Sequence, residues 1–267
     1  MNFFKDNNPM QTQREFPSGV AIVTGGTGGI GSVVCQVLAS RGADIAVVYR
    51  GNAERAADVV QQIRALGRRA EAYQADLSDL DSVHQMVKRV RVDFDAIHTV
   101  VYASGPHVHM RYLSKLAPSE LAEYLNTDTM GFYHLVTAAL PALRESKGSI
   151  VACHTAGLAR WPARDALSVV PKAGVDALIK GFAKEEGRYG VRANAVGTGT
   201  VEAGIHFRAM ELGDFDEHYM RVATANTALK RIGQPEDTAE AVAFLASNRA
   251  NFVTGQTLMV DGGYSIG

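Results

Sequence analysis

An α/β fold, a Rossmann-type doubly wound parallel sheet of about seven strands in a single domain, follows from two observations on the sequence. Short β-branched runs alternate with longer stretches of helical period, and the runs are apolar throughout instead of alternating with polar residues. Ile45-Ala46-Val47-Val48 is such a run, and continuous apolarity suits strands covered on both faces by helices.

The elements follow in order. The first strand spans 20–24, and an amphipathic helix over 30–41 succeeds it after a glycine-rich turn. Further strands are expected over 44–49, 70–74, 96–102, 149–153, 192–196 and 258–260. A helix over 53–66 stops at Gly67, a residue favoured just past a helix end, and Pro235 opens another helix running to about 247. Residues 1–17 are polar without an apolar core and read as a loose arm, leaving 18–267 as the domain. Between 200 and 232 strand and helix signals weaken while His206, Phe207, Phe215 and Tyr219 collect there, as in a lid over a ligand site or in plain surface decoration.

Composition narrows the function. The 267 residues carry 27 basic and 28 acidic side chains, interspersed, for a net charge of −1, which gives no electrostatic reason to bind nucleic acid or a membrane. Cys35 and Cys153 lie in apolar runs without metal-ligand or redox spacing, as small buried thiols of a reducing compartment, so a cytoplasmic location is expected.

The glycine-rich turn carries the first chemistry. Thr24-Gly25-Gly26-Thr27-Gly28-Gly29-Ile30-Gly31 leads from a strand straight into a helix, whose N-terminus offers free N–H groups and partial positive charge to a pyrophosphate. A purely structural tight turn is the alternative. Some twenty residues on, where an NAD site places a carboxylate for the ribose hydroxyls, stands Tyr49-Arg50-Gly51-Asn52. No carboxylate comes before Glu54, whereas Arg50, with Arg55 nearby, suits a ribose 2′-phosphate, so NADP is favoured over NAD; Arg50 as a solvated charge is the alternative.

Gly25, Gly29 and Gly31 match a TGxxxGIG pattern, and from about 19 to 263 the chain resembles the short-chain dehydrogenase/reductase family, with similarity to 3-oxoacyl-(acyl-carrier-protein) reductases. The resemblance implies a nicotinamide cofactor, a small-molecule carbonyl or hydroxyl substrate and a homo-oligomer, tetramer or dimer. It implies cofactor contacts from Gly25, Thr27, Gly28, Gly29, Ile30 and Gly31, from Arg50, and from the Asp76-Leu77 pair, in which Asp76 could otherwise be a turn cap. Ser104 and Gly105 of Tyr102-Ala103-Ser104-Gly105 stand where the family has Asn-Asn-Ala-Gly, and Gly199 ends a segment, 194–199, in which Thr198 replaces a proline, with Val201 just beyond it. The tail 254–263, ending Asp261-Gly262-Gly263, matches the family's last strand.

For catalysis the resemblance assigns Asn126 to the asparagine of a proton relay, Thr155 to the serine position and Lys172 to the lysine that holds the nicotinamide ribose. The tyrosine position holds Ser168, whose aliphatic hydroxyl ionises far less readily than a phenol. Pro171 is welcome only in a first helical turn, so the helix is expected to begin near Val169 with Ser168 as its N-cap; proton donation and a polar substrate contact are the other roles open to Ser168. His154, beside Thr155, could be a substitute proton source at neutral pH, as could His107 and His109, although for each of them a solvated or hydrogen-bonded structural role is the readier reading. The His107-x-His109 pair lacks a third ligand, and no metal site is read there. Three functions stay open: an NADP-dependent reductase with an atypical site, a non-redox cyclase, dehydratase or isomerase using Asp165, Arg164 and the histidines, or a cofactor-binding regulatory protein.

Overall fold

The computed structural model describes residues 14–213 and 215–267. Seven strands form one parallel sheet: β1 (Val20–Thr24), β2 (Asp44–Tyr49), β3 (Ala70–Gln74), β4 (Ile97–Tyr102), β5 (Ser149–Thr155), β6 (Arg192–Thr198) and β7 (Thr257–Val260), in the spatial order β3-β2-β1-β4-β5-β6-β7. Each expected strand is present, with ends shifted by no more than two residues. Every residue of β1 and β4 is buried, because both faces of the central strands are covered.

The covering helices divide between the faces. On one lie α1 (Gly29–Ser40), α2 (Ala53–Ala65) and α9 (Pro235–Ala246); on the other lie α3 (Leu80–Phe94), α5 (Gly131–Ser146) and α6 (Ala166–Glu186). Strand alternation feeds both cores, with Ile150 and Ala152 of β5 turned to the α6 side and Val151 and Cys153 to the α1 side. Burial pushes the Cys153 thiol up to about 12, consistent with a packing role. The short helices α4 (Pro118–Tyr124), α7 (Ile205–Glu211) and α8 (Glu217–Ala225) lie at the ends of the sheet's connections, the last two within the weakly patterned stretch 200–232.

The strand order reverses direction between β1 and β4, so the connections leaving their C-terminal ends part and open a crevice. Of the expected arm, residues 1–13 lie outside the described residues. Its end is tied down instead of loose: Phe16 is buried and stacks on His98 at 5.6 Å, and Asn248 donates its N–H to the Glu15 carbonyl at 2.8 Å.

Asn194 joins β6 to the approach of β7. Fully buried, it donates from Nδ2 to the Val253 carbonyl at 2.8 Å and accepts the Gln256 N–H on Oδ1 at 3.1 Å. Asn194→Ala is expected to cost about 2 kcal/mol by leaving both partners unpaired, and to lower Tm by about 4–8 °C in a domain of this size. Calorimetry checks this, and an unchanged Tm would show that neither bond stabilises the fold.

Candidate active site

A single cavity of about 1110 Å³ runs along the C-terminal edge of the sheet, from Arg50 and Asp76 at one end to Trp161, Arg164 and Tyr219 at the other. The glycine turn forms its floor. Gly25 is at φ +65°, open to glycine at little cost, and a Cβ on Gly31 would collide with the Gly25 carbonyl, so the tight turn requires both residues. Helix α1 starts without a side-chain cap and without an acidic residue in its first turn, which leaves its N-terminal N–H groups and positive end for a ligand.

At the far end the Asp76 carboxyl accepts the Ser78 hydroxyl at 2.6 Å and the Ser78 N–H at 2.9 Å. Those bonds, with a smaller contribution from the Arg50 charge, hold it below the usual carboxylate range. Asp76 is therefore a turn-stabilising acceptor that also faces the cavity. Arg50 lines the same end, while Arg55 opens α2, where its N–H donates to the Asn52 cap at 2.9 Å, and is not among the lining residues. Every glycine-turn position expected to meet a cofactor borders the cavity, as do Leu77, Ser104, Gly105, Gly199 and Val201.

The catalytic half differs from expectation. Ser168 and Lys172 stand four residues apart on α6, hence on one face, and both border the cavity. Helix α6 begins at Ala166, not near Val169, with Asp165 as N-cap residue, so Ser168 is its third residue and not its cap. Burial of Ala166, Leu167 and Val169 outweighs the helix-breaking tendency of Pro171, which sits buried inside the helix. Asp165 makes no side-chain capping bond.

Asn126 is exposed and does not border the cavity; Asp128 does. A π-helical turn, Leu125–Met130, joins α4 to α5, and its extra residue rephases the helix so that position 128 faces inward. Close approach of this turn to α6 depends on Gly174, where a Cβ would fall 2.6 Å from Cγ2 of Thr129. Asp128, 2% exposed, accepts Lys172 Nζ at 2.8 Å and the Tyr102 hydroxyl at 2.7 Å on the same oxygen, Oδ1. Lys172 Nζ also donates to the Ser104 carbonyl at 3.0 Å and lies 4.8 Å from the Tyr102 ring centre. Burial, then the Asp128 charge, raises the Tyr102 phenol well above its ordinary value, so it serves as a neutral donor.

Thr155 ends β5 beside the cavity; its Oγ1 accepts the Gly157 N–H at 3.0 Å, leaving the hydroxyl proton for a ligand oxygen. His154 also borders the cavity, but its ring is turned away from Thr155. The alternation of β5 turns its ring, 1% exposed, to the α6 side, where Nε2 lies 3.3 Å from Thr257 Oγ1 and 3.4 Å from Asp176 Oδ1. Burial, only partly offset by Asp176, lowers its pKa, which fits a neutral structural histidine. Thr198, in the place of a proline, donates to the His154 carbonyl at 2.9 Å and binds β6 to β5.

His107 borders the cavity and packs against His109 at 4.8 Å between ring centres, while His109 does not border it. Among the described residues no group of three or more His, Cys, Asp and Glu could hold a metal ion. Asp128 and Tyr264 also border the cavity without standing out in the sequence, while Tyr219, one of the aromatic residues collected in the 200–232 stretch, borders it too. Counting inward from Gly131 on a regular helix would not have found Asp128, because the π turn breaks the period.

Fold and cavity together define an α/β enzyme of the dinucleotide-binding kind, with its site at the strand-order reversal. A family model described as enoyl-(acyl carrier protein) reductase matches residues 25–265. The chain is 34% identical over 244 residues to the 3-oxoacyl-(acyl-carrier-protein) reductase FabG of Staphylococcus aureus, covering 91% of this chain and 96% of that one. It is 32% identical over 248 residues to the L-rhamnose 1-dehydrogenase (NAD(P)(+)) of Azotobacter vinelandii, covering 91% and 94%. A solved Serratia marcescens short-chain dehydrogenase/reductase variant superposes with TM-score 0.85 at 27% identity, over 94% of this chain and 99% of that one. A Mycobacterium avium carveol dehydrogenase solved with NAD shares the fold, with TM-score 0.87 at 23% identity over 96% and 100% of the two chains. The chain belongs to the short-chain dehydrogenase/reductase family and is an oxidoreductase-type enzyme of that family.

Because Lys172 and Asp128 are both nearly buried, removing either leaves an uncompensated charge. In urea denaturation, Asp128→Asn and Lys172→Met are each expected to destabilise, with a coupling of more than about 1 kcal/mol in the double variant. Additive effects would show that the pair holds nothing together.

Proposed function

We propose that the chain is an NADP-dependent reductase of carbonyl substrates, with 3-oxoacyl thioesters the first class to test, working from a site without the tyrosine. The observation that carries this reading is Lys172, fixed beside Ser104 and Gly105 in a cavity that is continuous with the glycine turn and Arg50. The residues fit a phosphorylated dinucleotide: an uncapped helix start for the pyrophosphate, a cation at Arg50 for a 2′-phosphate, and Lys172 for the nicotinamide ribose. When bound, the cofactor supplies the hydride. Thr155 holds the substrate oxygen through its free hydroxyl proton, and Lys172, neutralised by Asp128, positions more than it activates.

Segment 200–232 acts as the lid, since Thr200, His206, Phe215 and Tyr219 already border the cavity. The protein works as a homo-oligomer, tetramer or dimer, in the cytoplasm; Phe252 and Ile266, largely exposed near the ends of β7, suit a subunit contact. No described helix is long and apolar enough to cross a membrane.

NADPH oxidation by the parent over a carbonyl panel that includes acetoacetyl thioesters tests the reading. Tight NADPH binding without turnover of any member, together with activity gained by Ser168→Tyr, would sink it in favour of a non-redox enzyme. Arg50→Ala is expected to reduce the preference for NADPH over NADH by about 10–100-fold in Kd, the loss of one charge-assisted contact, read by fluorescence titration of both cofactors.

A further inference from the structure

We propose that Arg160, braced against Tyr264 and joined by Arg164, binds an anionic group of the substrate, so that the cavity takes carbonyl compounds bearing a carboxylate or a phosphate. The reaction rests on the reductase reading above; the binding rests on the charges and geometry of one loop. That loop, 156–165, runs from Thr155 at the end of β5 to the start of α6, and Arg160, Trp161 and Arg164 all border the cavity. Its first half is fixed relative to Thr155. Gly157 donates its N–H to Thr155 Oγ1 at 3.0 Å, Arg160 donates its own to the Ala156 carbonyl at 3.2 Å, and a Cβ on Gly157 would fall 2.8 Å from Cγ2 of Val169 in α6. One tight helical turn therefore separates the Arg160 backbone from the hydroxyl assigned to the substrate oxygen.

The Arg160 side chain is held as firmly. Its Nη1 donates to the Tyr264 carbonyl at 3.0 Å, its guanidinium carbon lies 4.9 Å from the centre of the Tyr264 ring, and the Tyr264 hydroxyl donates back to the Arg160 carbonyl at 3.3 Å. Tyr264 is braced in turn: its N–H bonds the Asp261 carbonyl at 3.1 Å, and the buried Asp261 carboxylate takes the Gly263 and Ser265 N–H groups, both at 2.9 Å. A free arginine loses much rotamer entropy on binding a ligand, whereas this one is ordered beforehand. The tie to Tyr264 uses a single N–H of the guanidinium fork and engages no carboxylate.

Charge at this end of the cavity favours an anion. Among the described residues Arg160 and Arg164 pair with no carboxylate, while Arg208, which also borders the cavity, is paired with Glu211 at 2.9 Å. Of the acidic residues that border the cavity, Asp76 is bonded to Ser78 and Asp128 to Lys172, which leaves Asp165 against the two arginines. Arg164 is held in the left-handed region at φ +68°, its carbonyl taking the Arg111 N–H at 2.9 Å, and a non-glycine residue persists there only where its surroundings impose it. Arg160 is half-buried, and a cation shielded from water without a counter-charge is costly. A carboxylate or phosphate that accepts two N–H groups from the guanidinium fork removes that cost. A purely structural tie to Tyr264 needs a donor and no charge.

Trp161 is the single tryptophan of the chain and stands half-exposed beside Arg160, so its fluorescence reports on this end of the cavity. The test titrates the full chain with acetoacetate, with methyl acetoacetate and with the uncharged N-acetylcysteamine thioester of acetoacetate, in saturating NADP+, which fills the phosphate end and reduces nothing. Dihydroxyacetone phosphate against dihydroxyacetone separates a phosphate from a carboxylate preference. The parent is expected to bind one of the anions about 10–100-fold more tightly than its uncharged partner, the effect of one charge-assisted contact. Arg160→Gln, which can still donate to the Tyr264 carbonyl, should erase most of that preference while moving the Kd of the uncharged ligand less than about threefold; an arginine that only tied down Tyr264 would change both ligands alike. Should Arg160→Gln fail to fold, Tyr264→Ala, which frees the guanidinium without removing it, should shrink the same ratio. Equal binding of anion and uncharged partner by the parent, or a preference that survives in Arg160→Gln, would overturn the anion site. Preferential binding of an anion without NADPH oxidation over any carbonyl would keep the site and overturn the reductase reading.

Discussion

The Lys172 ammonium is the point on which the catalytic edge of the sheet is assembled. It draws one contact from each of three segments: the Asp128 carboxylate of the π turn, the Ser104 carbonyl past the end of β4, and the face of Tyr102 in β4 itself. A charge this buried is costly unless paired and fully hydrogen-bonded, so any drift of one segment would expose the cost of the other two. The Tyr102 hydroxyl completes the arrangement by donating to the same Asp128 oxygen. Gly174 permits it, since any side chain there would hold the π turn away from α6.

That pairing explains why the changes around position 168 belong together. A fixed lysine activates a phenol because its positive charge favours the phenolate; a carboxylate 2.8 Å from the same ammonium cancels much of that field. With Asp128 in place, a tyrosine at 168 would gain less, and with Ser168 in place, an unpaired Lys172 would have nothing to activate. The phosphate end shows no such rebuilding. The glycine turn, uncapped α1 and Arg50 keep the requirements of an anion site, which depend on backbone geometry and one cation and not on the reaction.

Legibility in the sequence followed the physics of each element. The strands were readable because a parallel sheet buried on both faces demands continuous apolar runs, and the glycine turn because its tight geometry admits few residue types. Asp128 was not readable: the helical pattern continues through 118–146, and nothing in residue type marks the one extra residue that turns Asn126 outward and Asp128 inward. The start of α6 is not legible from Pro171 alone, because the burial of Leu167 and Val169 that outweighs its local propensity is set by the tertiary structure. Strand alternation, with Ala152 and Ile150 on the α6 side, separates the His154 ring from Thr155 even though both residues border the cavity.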